Sequence, residues 1–433
     1  MHIPDHFQFF LNRLRERLWV KPVIACVLSV AGVLLAHAAD GIALGWKVPD
    51  IAQSSVIDLL KIVAASMLGV ATFAVASMVA AYASTGQSAT ARAFPLVVAD
   101  DVSQNALSIF VGAFIFAIVA LSASTNDYFG KPGRFTLFVL TLLTLLIVVL
   151  VFVRWVDRIA RLGRLGAVID KVEQATAQAM ARRRRQPFLG GLMANGPPCG
   201  LAFHSPESGA LQRIDMRALQ RLAAESKVRI TLAVLPGTMI VPSRPLGYVL
   251  PDAEHSEAVE TALLAKAFTI GTHRHFDEDP RFGLVVLAEI GCRALSPAVN
   301  DPGTAIGILG SLQRLFAGWV APAEPASPEC DRVEVPPLSL DDMFDDVFPA
   351  LARDGAGLIE VAMRVQRVLG ELGLCGDGQL AMTAHRHAVL ALARAERALD
   401  FPPDLEQLRL RHTDYPAPFR ADRGPKRTAH TKG

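Results

Sequence analysis

The sequence predicts an α-helical transmembrane domain of four spans followed by a mixed α/β, mostly helical cytoplasmic domain. Three observations carry that expectation. Four apolar runs, residues 20–39, 56–83, 106–124 and 135–153, match the ~20 residues needed to cross the hydrocarbon core of a bilayer. After Pro198 the pattern changes to short alternating segments between Pro/Gly turns, and then to apolar residues three and four apart. Composition agrees: 52% of the 433 residues are hydrophobic, 19% are charged, and the mean hydropathy is +0.34, high for a wholly soluble chain.

The spans come first. Arg13, Arg15, Arg17 and Lys21 precede the first run; Arg154, Arg158, Arg161, Arg164 and the run 182–185 follow the fourth. The loops at 40–55 and 125–134 carry few cations, so the positive-inside rule places both termini in the cytoplasm of a bacterial inner membrane. Trp19, Trp46, Tyr82, Tyr128 and Trp155 sit near the span ends, where interfacial aromatics belong. A second reading of the first run stays open: a basic leader, an apolar core and Ala36-His37-Ala38 also imitate a cleavable secretory signal.

Small residues mark the second run. Thr72, Ala76, Ala80 and Ser84 recur every four residues, and Ala113 and Ala117 repeat the device in the third. Such stripes let helices approach closely in lipid, within one subunit or between subunits of a homo-oligomer. No ionisable side chain lies deep in spans two to four, which argues against proton- or ion-coupled transport and leaves a hydrophobically gated pore or a plain anchor. The segment 84–105 reads as a capped turn between helices, with Asp100, Asp101 and Ser103 as capping oxygens.

Beyond the bilayer, Trp155, Ile159, Leu162, Leu165, Ile169 and Val172 continue an amphipathic helix. Arg154, Arg158 and Arg161 form a stripe beside it that suits anionic lipid headgroups. The run 182–185 reads as a further lipid contact or a solvated helix end. The expected organisation is a four-span domain over 1–153, a helical extension over 154–186 and a small α/β module over 187–251, entered through a linker at 187–198. A helical core over 252–318, C-terminal helices over 319–400 after a Pro-rich loop at 320–338, and a disordered basic tail over 401–433 complete it. Within the module, strands are expected at 200–203, 210–214, 227–234, 238–241 and 246–250, with a helix at 216–225.

In the connector 271–279, GTHRHFDED, His273, His275, Asp277 and Asp279 alternate. Asp279-Pro280 is explained by an N-cap followed by proline at the first helical position, and no distant cluster completes a metal site. Arg274 with Asp277 is expected as an internal ion pair or a polar contact to a ligand or partner. The stretch 293–312, RALSPAVNDPGTAIGILGSL, repeats the stop-and-cap chemistry: an apolar helix ends at Ser296-Pro297, and Asn300 and Asp301 precede Pro302. Gly303, Gly307 and Ser311 then recur every four residues. Gly costs a helix roughly 1 kcal/mol against Ala, so close packing of that face, or an oligomer contact, is expected. Asn300, Asp301 and Thr304 are candidate ligand contacts, because a helix start offers N–H groups to an anion.

The pattern R-A-L-S-P-x-x-N-D-P-x-T-A at 293–305 resembles the signature of a bacterial predicted-membrane-protein family of unknown function. The connector 271–279 and the segments 88–94 and 112–116 are similar to it as well. The resemblance implies four N-terminal spans and a cytoplasmic C-terminal domain, and it brings no catalytic residues. Nor do the residues supply any: there is no Walker loop, Rossmann fingerprint, G-x-S-x-G or H-E-x-x-H. His385 and His387 are two apart on a helix and diverge, so no metal or cofactor is expected there. Five scattered cysteines give neither a zinc motif nor a disulfide framework, and the net charge of +2 does not point to nucleic acid. Two functions remain: a homo-oligomeric channel-like protein with a cytoplasmic regulatory domain, or a non-conducting sensor or scaffold whose soluble domain binds an anionic ligand or a protein.

Overall fold

The computed structural model describes residues 20–38, 49–98, 101–161, 164–251, 260–321, 324–375 and 378–415. Arg13, Arg15, Arg17, Trp19, Trp46, Asp100, Leu162 and the tail from 416 lie outside them, as do the side chains of Asp101 and Arg161. The chain forms two compact units, residues 1–168 and 169–433.

In the first unit, four helices are long and apolar enough to cross a membrane: α1 (Val20–Ala38), α2 (Gln53–Ser88), α4 (Asp101–Thr125) and α5 (Lys131–Arg161). Between α2 and α4, Thr90 caps a single 3-10 turn by accepting from the Arg92 amide, and a short helix α3 (Phe94–Val98) follows. Helix α4 packs against both α1 and α2. Ser29 on α1 donates to the Gly112 carbonyl at 2.7 Å, a hydrogen bond across the contact where small residues admit close approach. Ala113 and Ala117 are buried there, among Val33, Leu60 and Phe110.

Two expectations change. Trp155 is turned inward: it is fully buried, edge-on to Phe73 and Phe110, because a bulky apolar ring fills the space between helices. The fourth span also does not continue unbroken. Helix α5 ends at Arg161 and α6 (Leu165–Arg185) begins after Arg164.

The second unit holds two sheets. The larger has the order β1 (Gly191–Met193), β8 (Cys330–Val335), β4 (Val228–Leu232), β6 (Gly247–Pro251), β2 (Leu201–Phe203). Strand β8 is parallel to both β1 and β4, and the pairs β4–β6 and β6–β2 are antiparallel. The smaller sheet runs β5 (Met239–Ile240), β3 (Gly209–Ile214), β7 (Phe268–Gly271), all antiparallel neighbours. Helix α7 (Met216–Glu225), N-capped by Asp215, buries Leu219 and Ala223 against this core.

The sheets therefore overrun the expected 187–251 module. Strand β1 lies in the expected linker, β7 lies in the expected helical core, and β8 lies in the expected Pro-rich loop. Val333 and Val335 of β8 are buried and alternate with half-buried Arg332 and Glu334, a two-residue period that short length and flanking prolines obscure.

The helical layer comprises α8 (Thr261–Ala265), α9 (Pro280–Ala294), α10 (Pro302–Val320), α11 (Leu340–Asp345), α12 (Phe348–Asp354), α13 (Ile359–Cys375), α14 (Gly378–Ala398) and α15 (Pro402–Thr413). Helix α9 packs on α10 and α12, and α13 packs on α10, α14 and α15. Helix α15 corrects the expected tail over 401–433: it folds, burying Leu408 against Ala362 and Ala395.

Candidate functional site

Three successive acidic residues, Asp277, Glu278 and Asp279, close the connector between β7 and α9, and arginines from distant segments converge on them. Asp279 N-caps α9, accepting from the Phe282 amide at 3.2 Å, as Asp-Pro chemistry predicts. Arg274 grips the same carboxylate in two places, Nε at 2.7 Å and Nη2 at 3.0 Å, while its guanidinium lies 5.3 Å from the centre of the Phe282 ring. The expected pairing of Arg274 with Asp277 is thus replaced by one with Asp279. The physical reason is solvation: the Asp279 side chain is only 3% exposed and needs a counter-charge, whereas Asp277 is 84% exposed and is served by water. Burial pushes the Asp279 carboxyl above the ordinary aspartate range, and the Arg274 bonds oppose that rise.

Helix α6 supplies the other cations. Arg182 donates Nε to the Asp277 carbonyl at 3.1 Å, and Arg183 donates Nη2 to the Glu278 carbonyl at 3.3 Å. Glu278 also faces Arg213 of β3 at 3.5 Å; burial raises its carboxyl pKa, and Arg213 and Arg183 counteract that. Arg184 donates to the Ala321 carbonyl. Three members of the 182–185 run are therefore tied to the second unit's own backbone; Arg183 is buried and is no solvated helix end, whereas Arg182 and Arg185 stay exposed.

Beside this network lies a cavity of about 270 Å³ lined by the turn Leu235, Pro236, Gly237 and Thr238 and by Arg244, Arg274, Arg281 and Asp342. The turn presses on the buried acid: Gly237 has φ +94°, and a Cβ there would overlap the Asp279 carboxylate. Arg281 is fully engaged, binding Asp346 through Nε at 2.6 Å and Nη2 at 3.0 Å, and Asp342 through Nη1 at 2.7 Å. Arg274 gives Nε and Nη2 to Asp279, so Nη1 has no hydrogen-bond partner among the described residues. Arg244 is exposed at this cavity, and its side chain makes no hydrogen bond or ion pair among the described residues. The Thr238 hydroxyl oxygen accepts from the Leu235 amide at 3.3 Å and keeps its own proton to donate. Two guanidinium groups and a hydroxyl thus offer donors into one space.

Residues 15–371 match the family model described as a predicted membrane protein, DUF2254. The chain belongs to that family. Over 141 residues this DUF2254 chain is 32% identical to an uncharacterized protein of Mycobacterium bovis and, equally, to one of Mycobacterium tuberculosis. Each match takes in 31% of this chain and 27% of the relative, so it spans about a quarter of those proteins' length. No solved structure matches. Membership makes the four apolar helices those of a membrane protein, and the chemistry of the second unit must be read from its geometry.

The other expected ligand group of this DUF2254 chain, Asn300, Asp301 and Thr304, lies elsewhere. Asp279 and Asp301 flank α9 at opposite ends, about 22 Å apart along a 15-residue helix at ~1.5 Å per residue. The structure does not bring the two groups together. Asp301 accepts from the Thr304 amide at 3.0 Å and its hydroxyl at 2.6 Å, and the hydroxyl bond above all holds its carboxyl below the usual range. That carboxylate already occupies the helix start. Asn300 takes φ +49°, a left-handed conformation that asparagine tolerates better than most residues, and turns the chain between α9 and α10.

The glycine stripe after it also differs from expectation. A Cβ on Gly307 would meet nothing within 4 Å, and one on Gly303 would meet only the Asp301 cap, whereas Ser311 is buried. Close helix packing falls instead at Gly283 of α9, where a Cβ would overlap the Thr176 side chain of α6. Sequence reasoning passed over Arg213, Arg244, Glu278 and Arg281, and took Arg183 only as a member of the basic run 182–185. Only the triple acid at 277–279, which needs cations when buried, gave a signal for them.

Proposed function

We propose that this chain is a multi-pass protein of the bacterial inner membrane, both termini cytoplasmic, whose C-terminal domain is a sensor for a small anionic ligand. The observation that carries this reading is Arg244, a guanidinium without a partner among the described residues at a cavity that Arg274 and Thr238 also line. Arginine donors converging on a concave site are the usual means of holding carboxylate or phosphate oxygens. Arg274, fixed by Asp279, is pre-positioned, and Asp277 stands at the rim of the same connector. Asn300, Asp301 and Thr304 form the rigid turn of the helical core rather than a second ligand site. The orientation rests on the cations that flank the first and fourth spans.

The test is thermal unfolding of the full chain in detergent with phosphate, dicarboxylates and nucleotides. A ligand at a hundred times its Kd stabilises by about 2.7 kcal/mol. Arg244→Ala, an exposed change expected to alter stability by less than about 0.5 kcal/mol, removes that shift. If no anion raises the midpoint, or if one stabilises the variant equally, the proposal fails.

A second reading is a homo-oligomeric, channel-like protein. It is favoured by Thr72, Ala76, Ala80 and Ser84, which all lie on exposed positions of α2 rather than inside the bundle. Gly303 and Gly307 are an exposed small-residue face of α10 that suits a contact between copies. Arg154, Arg158 and Arg161 would then meet anionic lipid headgroups. Native mass measurement together with ion flux in liposomes decides it: a monomer without flux removes this reading.

A further inference from the structure

The cavity beside Arg244 carries an acceptor as well as donors. Asp342 of α11 lines it together with Arg244, Arg274 and Thr238, and the Asp342 side chain is 52% exposed. Its Oδ2 takes the bond from Arg281 Nη1 at 2.7 Å, and its Oδ1 accepts no hydrogen bond among the described residues. Arg281 does not depend on that bond, because Asp346 holds it through Nε and Nη2. The same space therefore meets guanidinium donors and a carboxylate oxygen with capacity to spare.

Formal charges balance around it. Arg244, Arg274 and Arg281 line the cavity with Asp342, while Asp279 and Asp346 neutralise the second and third arginines. A simple anion would bring like charge up to Asp342, a repulsion that strengthens as water leaves. A ligand that also carries an ammonium group turns that repulsion into a charge-assisted hydrogen bond. Because Asp342 is half exposed, its effect is on selection among anions more than on raw affinity. Size and lining narrow the class further. A volume of about 270 Å³ lies just under the roughly 300–1,000 Å³ of pockets for drug-sized ligands, so a nucleotide is too large. Leu235, Pro236, Pro336 and Leu338 give aliphatic surface, and no aromatic ring among the described residues lines the space for a base to stack on. Arg244 offers a whole guanidinium and Arg274 its Nη1, donors enough for two carboxylates.

We infer that the ligand of this cavity is an acidic amino acid, its carboxylates on Arg244 and Arg274 and its ammonium group on Asp342. This rests on the reading of the cavity as an anion site, and comparison with deaminated acids separates the two. Full-length protein in detergent is titrated by calorimetry with L-aspartate and L-glutamate, and with succinate, glutarate and inorganic phosphate. Succinate and glutarate keep the carbon chains and both carboxylates and lack only the amine. At least one amino acid binds saturably at one site per chain, at least tenfold more tightly than its deaminated counterpart. Asp342→Asn removes the negative charge, leaves Arg281 on Asp346, and abolishes that preference. Arg244→Ala weakens amino acid and deaminated acid alike by at least tenfold. Equal or tighter binding of the deaminated acids, or binding of phosphate alone, overturns this inference and leaves the anion site standing. A preference that Asp342→Asn leaves intact does the same. No saturable heat from any of the five compounds overturns this inference, and heat that Arg244→Ala leaves unchanged overturns both readings.

Discussion

Arg274→Met isolates what holds the connector in place. The substitution keeps most of the aliphatic stem and removes both bonds to Asp279, whose side chain is 3% exposed. Breaking one partner of a buried pair costs about 3–5 kcal/mol, because the remaining charge is left without compensation. Arg274 itself is 27% exposed, so water reaches part of the site and the lower end, about 3 kcal/mol, applies. At about 2–4 °C per kcal/mol for a domain of this size, the thermal midpoint should fall by about 6–12 °C. Pairing it with Asp279→Asn should recover part of the loss, since Asn keeps a cap acceptor for the Phe282 amide without the charge.

The pH dependence adds an independent check on the same variant. With Arg274 gone, burial is opposed only by the Phe282 amide and the Arg281 charge, and the folded pKa of Asp279 is lifted further above the unfolded value. The folded state then binds the proton more tightly, so stability rises as pH falls through that folded value toward the unfolded one. The deficit relative to wild type should therefore narrow as the pH is lowered from 7.5 through that folded value. A fall of less than about 1 kcal/mol, or a deficit that widens on acidification, would refute the account of Asp279 as a buried acid neutralised by Arg274.

Other consequences follow from the same geometry. Gly237→Ala places a Cβ against the Asp279 carboxylate at φ +94° and should destabilise by about 1–3 kcal/mol, read by chemical unfolding; a neutral result would mean that the turn relaxes freely. Asp301→Ala removes the cap of α10 and should cost about 0.5–2 kcal/mol, with Asp301→Asn costing much less; equal losses would show that charge rather than capping matters. His387 of α14 is 3% exposed beside Phe344 and Phe348, facing Asp345, Asp341 and Arg386, and burial chiefly lowers its pKa below the ordinary value of about 6.5. A base with a depressed folded pKa is protonated first in the unfolded state, so stability is lost as pH falls from about 6.5 toward the folded value. His412, lowered mainly by burial and also by His385, adds in the same direction. His387→Phe should flatten the fall in midpoint between pH 7 and 5.5, and an equal fall in both proteins would exclude His387 as its source.

Several features were legible because their causes are local. The crossing helices follow from run length alone, since nothing shorter or more polar satisfies a bilayer. The starts of α9 and α10 follow from Asp279-Pro280 and Asp301-Pro302, because a cap oxygen and a fixed φ act within three residues. Helix α7 lies where its periodicity and Asp215 place it, and β2, β3, β4, β5 and β6 fall within a residue or two of the alternating segments.

What only the tertiary structure decided depends on pairings between residues far apart in sequence. Strand β8 becomes a strand by lying between β1 and β4, with Ile230 beside Val333 across the ladder, and its own six residues carry too weak a pattern to announce it. The partner of Arg274 was chosen by burial: the sequence puts Asp277 nearer, and folding desolvates Asp279 instead. The arginines of α6 meet the connector 95 residues away, and the free donors of Arg244 show only once its neighbours are in place. Local chemistry thus fixed where the helices begin and which could cross a membrane. Desolvation and long-range pairing, set by the folded packing alone, decided which charges found partners among the described residues and which did not.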